Sequence, residues 1–200
     1  MKNVLEGVLD GLMLRYRERV PEVAGVVRAM IEEKLIAGEG DIENDHIAFR
    51  SLGVPFLGIA SLEKVFLRLG WVRRDAYHFP AKKLDAYWYA PPEPKYPRIF
   101  LSELRVGDLS SATQEVIRRY TGGLTADPVD AVDLDDVSAI DRFLHSSSWE
   151  LPGLGDYEAL QVESEYAAWV IYNRYYLNHF TVSVHNLPAG YNTVASFNDF

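Results

Sequence analysis

Two rhythms run along the chain. Over residues 3–19, Val4, Leu5, Val8, Leu12 and Tyr16 recur near helical spacing and predict an amphipathic helix. Pro21 opens a second predicted helix that runs to about Ala37 and is closed by Gly38-Glu39-Gly40. The rhythm then changes to two. In Asn44-Asp45-His46-Ile47-Ala48-Phe49-Arg50, the residues His46, Ala48 and Arg50 share one face of a strand, and Ile47 and Phe49 share the other. Ser61 is read as the cap of a short helix through Leu69, with Gly70 just past its end. Three strand-like runs follow, at 71–79, 84–89 and 98–104, with Pro80 and Pro91-Pro92-Glu93-Pro94 in the turns. The order is strand, helix, strand, strand, strand. Helices are expected at 110–120, capped by Ser110 or Ser111, at 133–144, and at 156–175. A second alternating run, 178–185, sets His179, Thr181, Ser183 and His185 against Phe180, Val182 and Val184, and Ser196 looks like a final helix cap.

Composition narrows the classes. A hydrophobic fraction of 48%, with 12 Tyr, 9 Phe and 4 Trp, is enough for a sizeable core. A net charge of -9 with no basic run speaks against nucleic acid and against an anionic membrane surface. The absence of cysteine rules out disulfides, thiolate ligands and a Cys nucleophile. The start, Met1-Lys2-Asn3-Val4-Leu5-Glu6, lacks the uncharged core of a signal peptide. No stretch reaches the roughly 20 apolar residues of a membrane span. The expectation is a soluble, cytoplasmic α+β protein.

The polar faces of the two alternating runs carry the candidate chemistry. His46 and His179 sit at matching places, each preceded by a polar residue, and two imidazoles with a carboxylate are a recurrent ligand set for oxygen-using metal sites. Hydrogen-bonded histidines without a metal are the competing reading. Arg50, four residues and about 13 Å along the strand from His46, offers a planar fork for a substrate carboxylate, or pairs with a nearby acid at the rim. Ser51 could add a hydrogen bond. Glu103, in an otherwise apolar run, needs a partner. It is a candidate third ligand, an acceptor for a ligating imidazole, or the ion-pair partner of Arg98 or Arg105. His185 is a spare ligand or substrate contact if it shares the His179 face, and otherwise a polar strand end; Thr181 and Ser183 line the same face. The aromatic run Trp169, Tyr172, Tyr175 and Tyr176 reads as core. No glycine-rich phosphate loop, nucleophile elbow or His-Glu-x-x-His helix is present.

Asp45-His46-Ile47-Ala48-Phe49-Arg50, Phe100-Leu101-Ser102-Glu103-Leu104, and Asn178-His179-Phe180-Thr181 followed by His185 resemble the 2-oxoadipate dioxygenase/decarboxylase family, the hydroxyglutarate synthase group, which is related to the vicinal oxygen chelate superfamily. The likeness extends through Tyr77-His78-Phe79-Pro80 and covers most of the chain. It implies a βαβββ module with a curved mixed sheet. N-terminal helices (1–40) would precede that module (41–108). A helical insertion (109–176) and the start of an incomplete second module (177–200) would follow. It also implies Fe(II), or another divalent metal, held by His46 and His179, with Arg50 binding the distal carboxylate of a 2-oxo dicarboxylic acid. Dioxygen would be the second substrate, and the product a 2-hydroxy acid one carbon shorter, with release of carbon dioxide. The family's glutamate ligand lies downstream of the second histidine, beyond the last residue here, so activity of the 200-residue chain is left open. A non-catalytic carboxylate- or metal-binding module, or a glyoxalase-like lyase or isomerase completed by Glu103, remain alternatives.

Overall fold

A computed structural model describes residues 3–146 and 148–200. The first helix, α1 (Val4–Arg19), is capped by Asn3, whose side chain accepts the Glu6 N–H, and it buries Leu5, Val8 and Leu12. The second, α2 (Glu22–Glu32), ends five residues before the expected Ala37. The cause is a Schellman turn without glycine. Lys34 takes a left-handed φ of 59°, the Leu35 N–H reaches back to Met30 O and the Lys34 N–H to Ile31 O. Met30, Leu35 and Ile36 are thereby gathered into a small apolar cluster of their own with Leu187, Tyr191 and Phe197.

The expected strand-helix-three-strand unit is present as β1 (Asn44–Leu52), α3 (Ile59–Arg68), β2 (Val72–Phe79), β3 (Leu84–Ala90) and β4 (Arg98–Leu104). Helix α3 begins two residues before the expected cap. Gly58 holds the N-cap position, and Ser61 is buried inside the helix, donating to Asp127 Oδ1 at 2.7 Å. Gly70, at φ 99°, ends the helix as expected.

The C-terminal half supplies α4 (Ser111–Thr121), capped by Ser110, α5 (Val137–His145), capped by Asp136, α6 (Leu154–Glu163) and α7 (Glu165–Asn173). The single helix expected over 156–175 is thus two. Ser164 leaves helical geometry and uses its side chain to cap α7 through the Ala167 N–H, a local bond that competes with helix continuation. The last strand, β5 (His179–Val182), is four residues long and gives way to a short 3-10 turn at Val184–Asn186. A five-residue helix, α8 (Val194–Asn198), follows, with Thr193 as its cap and Ser196 completing a capping box.

The five strands form one mixed sheet in the order β2-β3-β4-β1-β5. β1 runs parallel to β4 and antiparallel to β5. Its apolar face, Ile47 and Phe49, is covered by α1 and α3. Phe49 meets Phe66 at 5.1 Å between ring centres, and Phe180 of β5 meets Tyr16 edge-on at 5.5 Å. The opposite face carries His46, Arg50, Phe100 and His179 and is open to two adjoining cavities. No described helix is long and apolar enough to cross a membrane.

Candidate active site

Register brings the two histidines together. Ala48 of β1 lies opposite His179 of β5, so His46 and His179 are diagonal neighbours on one face. Their rings meet edge to face with centres 5.6 Å apart. A metal bonded to both nitrogens at about 2.1 Å would set ring centres roughly 5 Å apart, so the observed spacing suits a shared ion.

The hydrogen bonds fix which ring nitrogen is available. His46 Nδ1 lies 2.9 Å from Asp45 Oδ2. A carboxylate only accepts, so Nδ1 carries a proton, and Nε2 is the nitrogen left to bind a metal. Asp45 is itself held by Arg98, whose Nη1 donates to Oδ1 at 2.9 Å. Thr181 accepts the His46 backbone N–H at 3.2 Å and its hydroxyl reaches the His46 carbonyl at 3.3 Å, tying the two strands together at the ring. His179 repeats the device with a neutral partner, its Nδ1 lying 2.7 Å from Asn178 Oδ1. Loss of solvent, with the nearby His46 and Arg50 charges, pushes the His179 imidazole below its ordinary range. Both rings are therefore oriented as ligating histidines are, with the donor set that imidazole-binding divalent metals take.

Arg50 lies two residues beyond Ala48, about 7 Å along the strand. Its guanidinium carbon sits 5.0 Å from the centre of the Tyr166 ring and 5.1 Å from that of Trp169. Its Nη1 is buried without a hydrogen-bond partner among the described residues; Glu165 Oε1 is 3.6 Å away. A cavity of about 490 Å³ opens here, lined by Arg50, Phe100, Ser102, Tyr166 and His179. A second, of about 580 Å³, continues past His46, Asp45 and Arg98. These volumes suit a small ligand.

Three expectations are corrected. Glu103 is neither a ligand nor an ion-pair partner of Arg98 or Arg105. Alternation turns it to the α3 face, opposite the histidines, where Oε2 accepts the Ile59 N–H at 2.8 Å. Arg98 is taken by Asp45, and Arg105 by Asp85 and Asp108. Ser51 is buried and spends its hydroxyl on Ser102 O at 2.8 Å, so it offers nothing to a ligand. His185 is exposed in the 3-10 turn after β5, because the alternating strand stops at Val182. Among the described residues no three His, Asp or Glu side chains converge as a metal site. The aromatic run also divides: Tyr175 is buried as expected and Tyr172 is exposed, but Trp169 stands against Arg50.

The family described as 2-oxoadipate dioxygenase/decarboxylase matches residues 8–200 of this sequence. The chain belongs to this family. A 2-oxoadipate dioxygenase/decarboxylase of Arabidopsis thaliana, named as chloroplastic, is 37% identical over 97% of the chain and 52% of its own length. The chain therefore spans about half the length of that relative. The crystal structure of hydroxyglutarate synthase from Oryza sativa, in complex with 2-oxoadipate, superposes with a TM-score of 0.82 at 35% identity, covering 96% of this chain and 62% of that one. A protein from Ralstonia eutropha described as belonging to the glyoxalase superfamily shares the fold, with a TM-score of 0.71 at 22% identity over 90% of this chain and 62% of that one. The 2-oxoadipate dioxygenase/decarboxylase family thus accounts for the fold of this chain.

Proposed function

We propose that this chain carries the substrate-binding face and two metal ligands, His46 and His179, of a 2-oxo acid dioxygenase/decarboxylase. The observation that carries the reading is the pair of imidazoles with both Nδ1 protons engaged, on the same face as a buried guanidinium nitrogen that lacks a partner. His46 and His179 would hold a ferrous ion, which when bound would supply the redox chemistry for dioxygen. Asp45 and Asn178 engage the Nδ1 atoms and keep both imidazoles aimed. Arg50 binds the distal carboxylate of a six-carbon 2-oxo dicarboxylate, and Phe100 keeps the chain between the two ends out of water. In the balanced reaction, C1 leaves as carbon dioxide, one oxygen atom enters the new carboxylate at C2, and the other becomes the hydroxyl at C3. The product is a 2-hydroxy dicarboxylate one carbon shorter. A reducing compartment such as the cytoplasm suits a ferrous site.

The orientation of Glu103 favours a second reading in which this chain alone binds a carboxylate without turning it over. One experiment separates the two. The chain is supplied with Fe(II) and 2-oxoadipate, and oxygen uptake and carbon dioxide release are followed together. Equal uptake and release, abolished in His46→Ala and His179→Ala, supports the dioxygenase. Binding without uptake supports the module. Turnover without oxygen uptake would point to glyoxalase-like chemistry.

A further inference from the structure

Helix α7 meets Arg50 with three side chains from its first turn and a half. Tyr166 is pinned to the sheet by its hydroxyl, which accepts the Ser51 N–H at 3.2 Å, lies 2.8 Å from Ser102 Oγ and donates to Ser102 O at 2.9 Å. Its hydroxyl end is therefore fixed, and Arg50 lies over the ring. Trp169, three residues on and on the same side of the helix, takes the guanidinium from a second direction. Two aromatic faces leave a planar cation little freedom to rotate, and they attract it. Glu165 is different in kind. Its side chain is 73% exposed, and its carboxylate stands 3.6 Å from Arg50 Nη1, close enough for charge attraction but outside hydrogen-bond geometry. The buried Nη1 is left with a nearby counter-charge and an unfilled donor.

We propose that α7 is the element that selects the distal carboxylate: Tyr166 and Trp169 position the Arg50 fork, and Glu165 is its resting counter-ion, displaced when a substrate carboxylate takes the unfilled donor. This rests on the reading of Arg50 as the distal-carboxylate site. It assigns the aromatic pair to discrimination between diacids and monoacids and makes Glu165 a competitor of the ligand. A substrate with an uncharged tail leaves Glu165 in place and gains nothing from the fork.

The test is binding of 2-oxoadipate and of 2-oxohexanoate, which has the same carbon count and no distal carboxylate. Both are measured by calorimetry on the Co(II)-supplemented chain, so that affinity is read without turnover. Trp169→Leu is expected to weaken 2-oxoadipate about tenfold and to leave 2-oxohexanoate within twofold, with Trp169→Phe restoring most of the loss. Glu165→Gln, at an exposed position that leaves folding intact, is expected to tighten 2-oxoadipate about threefold without moving 2-oxohexanoate. Equal weakening of both ligands by Trp169→Leu, or no tightening by Glu165→Gln, overturns the proposal. Arg50→Ala separates the levels. If it abolishes the preference for the diacid while the α7 variants do nothing, only the helix assignment fails. If it leaves the preference unchanged, or if the unmodified chain binds neither ligand, the reading of the site fails with it.

Discussion

Replacing Asp45 by asparagine asks whether the carboxylate behind His46 sets the ring for a metal. In the native arrangement the two oxygens divide the work, Oδ2 taking His46 Nδ1 and Oδ1 taking Arg98. An amide has one oxygen for these two donors. If the oxygen stays with the ring, His46 acquires the kind of neutral partner that His179 already has in Asn178. If it turns to Arg98, the amide N–H₂ faces Nδ1, the proton moves to Nε2, and the ligating lone pair is lost. Losing an outer partner of a ligating histidine weakens metal binding by about 10- to 100-fold, or roughly 1.4 to 2.7 kcal/mol. The smaller value belongs to the first arrangement and the larger to the second. Calorimetric titration of Co(II) at pH 7.5, with His46→Ala as the baseline, measures it. The reciprocal change, Asn178→Asp, is expected to tighten Co(II) severalfold by giving His179 a charged partner. An Asp45→Asn variant that binds Co(II) within twofold of the native chain would refute the claim that this pair orients a ligand.

Gly58→Ala would place a Cβ 2.5 Å from Glu103 Oε2 at a φ of 86°, breaking the Glu103 bond to the Ile59 N–H. The expected cost is about 2 to 4 kcal/mol, read as a fall in melting temperature of roughly 5 to 10 °C. Phe49→Ala, which empties the fully buried contact with Phe66, should cost about 3 to 5 kcal/mol in a denaturant titration. Glu163 accepts from Ser110, Thr113 and Lys83. These donors, the Ser110 hydroxyl first, hold its carboxyl down to about 2. Because the folded value lies below the unfolded one, its contribution is present above about pH 4.5 and is lost as the pH falls toward 2. After allowance for solvent at this partly exposed site, Glu163→Gln should lower stability by about 1 to 2 kcal/mol at pH 7, and the gap to the native chain should close on acidification.

Much of the fold was legible because local pattern and tertiary environment agree. Alternation around His46 gave β1, and the strand-helix-three-strand order followed from turn residues. Where local reading went astray, a side chain or a backbone turn had acted as punctuation in place of glycine or proline. Lys34 ends α2 in a conformation usually left to glycine, and Ser164 divides α6 from α7 by capping. The site was legible by parity, since residue number modulo two put His46, Arg50 and His179 on polar faces. The same parity rule turns Glu103 away, once β4 is known to run parallel to β1 with Ser51 opposite Glu103. That register belongs to the folded chain, so spacing in sequence could not show it. Nor could spacing show that Trp169 and Tyr166 meet Arg50 across more than a hundred residues; Trp169, at helical spacing, reads as ordinary core.

The position of β1 between β4 and β5 has a kinetic consequence. Its bonds to the β4 side close a loop of 51 residues, and those to the β5 side one of 135. Contacts of such separation form late, and β5 is a short strand of four residues paired on β1. His46 is expected to be in place once the central sheet forms, and His179 only when β5 docks. On the proposed reading, an ion held by both rings would brace the final closure of the sheet, and its binding energy would add to the docking of β5. Amide protons at Ile47 and Phe180, register partners across that seam, should exchange more slowly as divalent metal is added, while those of Leu101 in the sheet interior should not change.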